Sequence, residues 1–240
     1  MASPADSRKD EVAKAGLPIL YHLDTSNSQR ILWLLEELGI QYELRASTRQ
    51  RQRAPAALTK VHQLGKAPML TTADGRTIIE SPVIVSYLLT TYDTNGLFTS
   101  TDPIRTEELS SFATASLGPV TATEMLVEIL VEQTPWPISY LTKAIRGRVR
   151  AEYTSKEFEK ALGYLETELG ENEWFGGERL GKEDFMLSFP LDVMVGRGWV
   201  HLEGRYPRLE AWRRRVGERE AWRRGLKRGN GYDVMGLGRT

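Results

Sequence analysis

Leu64-Gly65-Lys66-Ala67-Pro68-Met69-Leu70, followed after a short gap by Ile78-Ile79-Glu80-Ser81-Pro82, is the stretch from which the rest of the chain is read. A proline directly before the apolar run Met69–Thr72 has no amide to give a sheet ladder, so it stands at a strand's start or edge. Asp74-Gly75 marks a hairpin, with Thr77–Ile79 as its antiparallel return. Ser81 then reads as a helix N-cap and Pro82 as the first helical residue, where a missing N–H costs nothing. Val83, Ile84, Val85, Tyr87, Leu88 and Leu89 make the helix beyond mostly buried. A helix N-terminus offers free N–H groups and partial positive charge to a carboxylate, and Glu80 beside it offers a partner to an ammonium. A site with both suits the end group of a free amino acid. Taken singly, Ser81 is a cap and Pro68 a turn residue; their spacing points to a ligand.

Upstream, Pro18–Leu23 is a short apolar run suited to a buried strand. Asp24-Thr25-Ser26-Asn27-Ser28 are turn and capping residues, and Ser26 with Gln29 matches a capping box. Gln29–Leu38 places Ile31, Leu34, Leu35 and Leu38 on one helical face, stopped by Gly39. Gln41–Arg45 forms a second strand with Tyr42 and Leu44 inward. Strand, helix, strand at this spacing predicts a βαβ unit with a parallel pair. Arg45 to Val61 is polar and reads as a loop with at most one helical turn.

Downstream of the stretch, 93–101 turns to Asp, Thr, Asn, Gly and Ser, the composition of a linker. Everything beyond Asp102-Pro103 reads helical, over 103–133, 138–170, 182–195, 207–216 and 218–228. The first of these is broken or kinked at Pro119 and stopped by Pro135-Trp136-Pro137. The expected organisation is a disordered leader (1–15), an α/β domain (16–93), a linker (94–101), an all-α domain (102–233) and a tail (234–240). The basic cluster Arg213, Arg214, Arg215, Arg219, Arg223, Arg224, Lys227 and Arg228, interleaved with Trp212, Val216 and Trp222, reads as an amphipathic helix pair with a solvated face.

Equal numbers of basic and acidic side chains, 32 of each, argue against general nucleic-acid or anionic-membrane binding, which needs a sustained basic field. There is no cysteine, which excludes disulfides, thiolate metal sites and mixed-disulfide chemistry on the protein. His22, His62 and His201 show no ligand spacing, so no metal is expected. The polar leader is neither a signal nor a transit peptide, and nowhere do about 18 apolar residues run together. A cytoplasmic protein is the plain expectation.

Gly65-Lys66-Ala67-Pro68 followed by Glu80-Ser81 resembles the glutathione-binding signature of the glutathione transferases. The resemblance extends to Ser28–Gly39, to Trp174-Phe175-Gly176-Gly177 with Leu180, to Asp184–Leu191 and to Gly229-Asn230-Gly231-Tyr232-Asp233. It covers residues 17–233. It implies an N-terminal thioredoxin-like domain followed by an all-helical domain, a cis Pro68, and glutathione as co-substrate. By the same resemblance Ala67 pairs by backbone with the cysteinyl part of glutathione, and Glu80 and Ser81 hold its γ-glutamyl end. Lys66 is placed to meet the glycyl carboxylate. Two departures stand out: Gly181 replaces a capping hydroxyl three residues before Asp184, and Pro82 stands where relatives often carry Gly or Ala.

In this family glutathione supplies the nucleophile, and the protein has only to favour its thiolate. A cysteine-like thiol has a pKa of about 8.5, so a few per cent is ionised at neutral pH. The loop Thr25, Ser26, Asn27, Ser28 is the segment this fold brings to the sulfur. Ser26 matches a fungal pattern in which Asn27 replaces an Arg, whereas Thr25 with Asn27 resembles the Thr-x-Asn motif of Nu-class relatives. Asn27 is the favoured residue, and Ser26 and Ser28 also read as caps; Tyr21, in the strand before, is the lesser candidate. Phe112, Leu117 and Met125 are candidate walls for a hydrophobic electrophile, although their spacing fits ordinary core packing better. The implied protein is a dimeric transferase that conjugates the thiolate to a hydrophobic electrophile. Alternatives are a glutathione-dependent biosynthetic isomerase or addition enzyme, a Nu-like peroxidase or disulfide reductase, and a transferase-like protein that binds without turnover.

Overall fold

The computed structural model describes residues 16–50 and 53–237, so the expected leader lies outside the described residues, as does the end of the tail. Strands β1 (Ile19–Leu23), β2 (Glu43–Ser47), β3 (Met69–Thr71) and β4 (Thr77–Ile79) form one sheet in the order β2-β1-β3-β4. β1 and β2 are parallel, with Leu20 opposite Leu44; β3 runs antiparallel to both β1 and β4. Alternation along the strands sorts the side chains between two faces. Leu20, Leu70 and Ile78 join the main core, whereas Tyr21 and Met69 pack on the far side with Leu58 of a 3-10 turn, Ala56–Lys60. That turn is the only regular helical element described within the loop expected over 45–61.

Helix α1 (Ser28–Leu38) is enclosed rather than amphipathic: every residue from Ser28 to Glu36 is buried. The sheet and α2 (Ser81–Tyr92) cover one side, and the C-terminal helices cover the other. Trp33 lies between them, with ring centroids 4.6 Å from Phe185 and 5.4 Å from Trp222, both edge-on. The expected capping box does not form. The hydroxyl of Ser26 accepts the Ser28 amide (3.2 Å), the Gln29 amide donates to the Ser26 carbonyl, and the Gln29 side-chain nitrogen has no partner.

Beyond α2, the 93–101 segment is anchored as well as connecting. Asp93 accepts the amides of Leu97 and Phe98, and Phe98 is buried against Phe185. The helices that follow are α3 (Pro103–Ser111), α4 (Leu117–Gln133), α5 (Ser139–Val149), α6 (Ser155–Leu169), α7 (Lys182–Gly196), α8 (Pro207–Glu218) and α9 (Glu220–Arg228). The expected irregularity near Pro119 is a π-helical segment, Phe112–Ser116, that precedes it; a second, Arg150–Thr154, joins α5 to α6. A widened turn before a proline leaves room for a ring that cannot donate to the preceding turn. Pro103–Gln133 is long and apolar enough to cross a membrane by length and composition alone. Here its Glu124 and Glu128 face inward and pair with Arg146 (3.2 and 3.1 Å), and Glu128 pairs with Arg197 (2.8 Å), the arrangement of a bundle helix.

The basic cluster does more than face water. Arg224 and Arg228 of α9 reach Glu36 of α1 (3.0 and 2.9 Å), Arg219 reaches Glu37, and Arg213 reaches Asp192 (2.9 Å). The pairs with Glu36 and Glu37 fasten the C-terminal helices to α1, and Arg213–Asp192 joins α8 to α7.

Gly181 is explained by space. A Cβ there would stand 2.4 Å from Glu183 Oε2 and 3.0 Å from the Cα of Gly176, and a Cβ on Gly176 would meet the Arg179 carbonyl at 2.4 Å. The two glycines lie back to back, and the Asp184 amide, lacking a capping hydroxyl, donates to the Gly181 carbonyl instead (3.1 Å). The Asp184 carboxylate, fully buried, accepts the amides of Phe175, Gly176 and Gly181 and the Trp212 indole N–H, at 2.7–3.1 Å. Replacing it by alanine leaves four buried donors unpaired. Asp184→Ala is expected to destabilise the fold by about 3 kcal/mol or more, read as a drop in the denaturation midpoint.

Candidate functional site

A cleft of about 800 Å³ opens between the sheet edge and the helical bundle. Its floor and rim bring together Thr25, Ser26 and Asn27 from the loop after β1, Lys66 and Ala67 before β3, and Glu80 and Ser81 at the start of α2. The far wall comes from α4 and α7 and is largely small or apolar, with Gly118, Ala122, Met125, Ile129 and Pro190. Residues scattered over more than fifty positions of sequence therefore meet in one concavity.

The Ala67–Pro68 peptide is cis. Ala67 faces the cleft; Pro68 is buried beside it and takes no part in the lining. Glu80 has φ +69° and ψ +118°, a left-handed conformation that costs a non-glycine residue about 1–3 kcal/mol and persists where the surrounding structure imposes it. Helix α2 begins at Ser81, with Glu80 as the flanking residue and no side-chain cap. Ser81 is thus the first helical residue rather than the N-cap. The first ladder bond runs from Ile84 N to the Glu80 carbonyl, 2.9 Å. Among the described residues no hydrogen bond engages the Ser81 hydroxyl or the Glu80 carboxylate. Both stand available at an open helix N-terminus, and Lys66 is exposed on the opposite rim.

The loop after β1 divides its four candidates by their bonds. Ser28 is fully buried and does not line the cleft; its hydroxyl sits between His22 Nδ1 (2.9 Å), the Leu23 carbonyl (3.1 Å) and Ser26 Oγ (2.7 Å). Ser26 reaches the cleft, but its hydroxyl lies 2.8 Å from the Leu23 carbonyl, to which it donates. Thr25, at φ +39°, accepts the Asp233 amide on Oγ1 (2.8 Å) and gives its own amide to the Gly231 carbonyl. Asn27 is exposed to the cleft, and its Oδ1 accepts from Arg30 Nη2 at 2.5 Å. Tyr21 does not reach the site; its hydroxyl takes the Arg45 guanidinium (3.0 Å). Of the three wall candidates, Met125 lines the cleft, whereas Phe112 and Leu117 line a separate, smaller groove with Tyr164.

Sequence reasoning passed over Arg30, Arg49, Arg53 and Leu237, all of which line the cleft. The tail carrying Leu237 is held by Arg197, whose Nη1 donates to the carbonyls of Val234 (2.8 Å) and Leu237 (2.6 Å). Arg30, Arg49, Arg53 and Lys66 stand against the single carboxylate Glu80 in the lining, so the cleft is cationic in a chain with no net charge.

A thioredoxin-like sheet followed by an all-helical unit, with a cleft between them, defines the architecture of the glutathione S-transferases. The chain belongs to that family. Residues 20–96 match the glutathione S-transferase N-terminal domain. The chain is 33% identical over 208 residues to glutathione S-transferase 3 of Schizosaccharomyces pombe, covering 85% of each. Among solved structures it is similar to a glutathione S-transferase from Actinobacillus pleuropneumoniae, at TM-score 0.66 and 27% identity, over 93% of this chain and 97% of the other. A glutathione transferase homolog from Lodderomyces elongisporus, solved with two GSH per subunit, shares the fold at TM-score 0.70 and 20% identity, over 88% and 98%.

The loop rests on a buried histidine. Burial holds the His22 imidazole near pH 4, well below its usual 6.5, and among the described residues its Nε2 has no partner. The unfolded chain therefore binds a proton between about pH 6.5 and 4 that the folded chain refuses, so His22 contributes stability that is lost as the pH falls through this window. The full contribution is about 3 kcal/mol. Asp184, whose carboxyl burial pushes up to about 6, runs the other way. The difference between variants is therefore the readout: His22→Gln should show a shallower acid-side fall in melting temperature than the unaltered protein.

Proposed function

We propose that the cleft binds glutathione and that the protein transfers its thiolate to a hydrophobic electrophile. One observation carries the reading: partners for an ammonium, two carboxylates and a sulfur converge on a single cleft whose other wall is apolar. Glu80 pairs with the γ-glutamyl ammonium. Ser81 and the α2 N-terminus take the neighbouring carboxylate, where hydrogen-bond donors and the helix dipole act together. Lys66 takes the glycyl carboxylate, and the Ala67 backbone pairs with the cysteinyl unit. This lays the sulfur toward Asn27.

The chemistry is then short. The thiol loses its proton to water. The sulfur lone pair attacks the electrophilic carbon, a C–S bond forms, and the leaving group departs with its bonding pair. The protein's part is to hold the thiolate at neutral pH, and a donor aimed at sulfur achieves this by favouring the charged form. Met125, Ile129 and Leu237 supply the surface for the electrophile. The reading includes a cytoplasmic homodimer, which would cover the apolar side chains exposed along α4 and α5, among them Leu130 and Leu141. Sedimentation at micromolar concentration should return twice the 27.2 kDa chain mass.

Two substitutions separate binding from ionisation. By calorimetry, Ser81→Ala should weaken glutathione binding by about 1.5–3 kcal/mol, roughly ten- to a hundredfold. Asn27→Ala should leave that affinity within about twofold while raising the pKa of the bound thiol, followed by thiolate absorbance. The absence of any heat with millimolar glutathione would overturn the reading.

A further inference from the structure

One charged group in the cleft is not explained by packing. Arg30 is 2% exposed, yet among the described residues no carboxylate pairs with it. Its Nη2 donates to Asn27 Oδ1, its Nη1 approaches the Met186 sulfur at 3.8 Å, and the guanidinium lies 5.8 Å from the Phe189 ring centroid. Among the described residues its Nε has no hydrogen-bond partner. Burial pulls the guanidinium down to about 9, partly offset by the Tyr232 hydroxyl, so it remains a cation at neutral pH. An uncompensated buried charge is expensive, and an apolar side chain in its place is commonly neutral or stabilising. A residue kept at that cost, in the wall of a cleft, fits an anion that is present only when the cleft is filled.

The chemistry of the Asn27 contact is directional. A guanidinium has donors and no acceptor, so it fixes the Asn27 carbonyl oxygen toward itself and leaves the amide N–H pair for the cleft. An N–H is what a thiolate needs; the carbonyl would repel it. We propose that Arg30 is the positioning residue for thiol ionisation: it orients Asn27 as a donor to the glutathione sulfur and supplies the positive charge that the thiolate balances. This rests on the glutathione reading above. The other charged groups facing this corner are Tyr232, with Asp192 and Arg213 behind it, and Glu80, Lys66, Arg49 and Arg53 around the cleft. Asp192 is answered by Arg213 and Tyr232, and Arg49 lies beside Asp24, so Arg30 is the cation held closest to Asn27 without a carboxylate of its own.

The test titrates the thiolate absorbance of the glutathione complex in the unaltered protein and in Arg30→Met, Arg30→Gln and Arg30→Lys, with melting temperatures and turnover of 1-chloro-2,4-dinitrobenzene alongside. Arg30→Met should fold with an unchanged or higher melting temperature, hold glutathione within about twofold, and raise the bound thiol's pKa by about one unit, a loss of thiolate that approaches about tenfold at pH well below that pKa. Its turnover should fall in step and recover as the pH rises. Arg30→Lys should restore most of the low pKa. Should Arg30→Met not fold, the Arg30→Gln and Arg30→Lys pair separates the same outcomes, since only the lysine keeps the charge. A thiol pKa that is unchanged in the neutral variants, or moved equally by Arg30→Lys, overturns the role of Arg30 alone. No glutathione bound by the unaltered protein overturns the functional reading beneath it.

Discussion

The constraint from which the rest follows is the burial of α1 from Ser28 to Glu36. A helix covered on all sides has to have each of its polar groups answered from within the protein, since an unanswered one costs about 1–3 kcal/mol and a charge more. Glu36 is answered by Tyr42, Arg224 and Arg228, and Glu37 by Trp33 and Arg219. The C-terminal helices are thereby tied to α1 by ion pairs as well as by the contact of Trp33 with Phe185 and Trp222. Joining the two units and enclosing the helix are one structural event, and the cleft lies along the seam it creates.

Set against that pattern, the N-terminal end of α1 stands out. Ser26, Ser28 and His22 close on one another and on the Leu23 carbonyl, which settles the loop and leaves both serine hydroxyls hydrogen-bonded within the protein. Asn27 is left facing the cleft, and Arg30 is left with a single strong acceptor. Stability and function part company here: the fold satisfies its other α1 charges within itself and keeps one in reserve for an anion from outside, as sites that trade stability for activity do.

Most of the architecture is legible in the sequence because it rests on local chemistry. Asp74-Gly75 places the β3–β4 hairpin, Pro82 and Pro103 the starts of helices, and Gly39 the end of α1, each through a backbone preference that acts whatever surrounds it. The convergence of Lys66, Ala67, Glu80 and Ser81 is legible only as a pattern of spacing. What escapes is set by tertiary contact. Arg30 and Glu36 read as the polar face of an amphipathic helix, and nothing in their neighbours announces that a second layer will cover them. Arg224 and Arg228 read as solvated for the same reason. The spacing of Phe112 and Leu117 fits core packing better than a cleft wall, and both do pack with the core, Leu117 within it and Phe112 against it, while the wall falls to Gly118, Ala122 and Met125. The absent hydroxyl at Gly181 reads as a lost cap and is in fact a steric requirement of Gly176.

The tail has a consequence of its own. The hydrogen bond from the Asp233 amide to Thr25 joins positions 208 apart, and Leu237 completes the wall of the same cleft. During synthesis the strand and helix flanking Thr25 emerge early, but the partners that hold the loop in its left-handed turn are made only after every helix of the bundle. The nascent chain therefore carries an unfinished cleft through nearly the whole of translation. Among the described residues the Asp233–Thr25 bond is the hydrogen bond of longest sequence separation, so closing the cleft is a late, non-local step of folding.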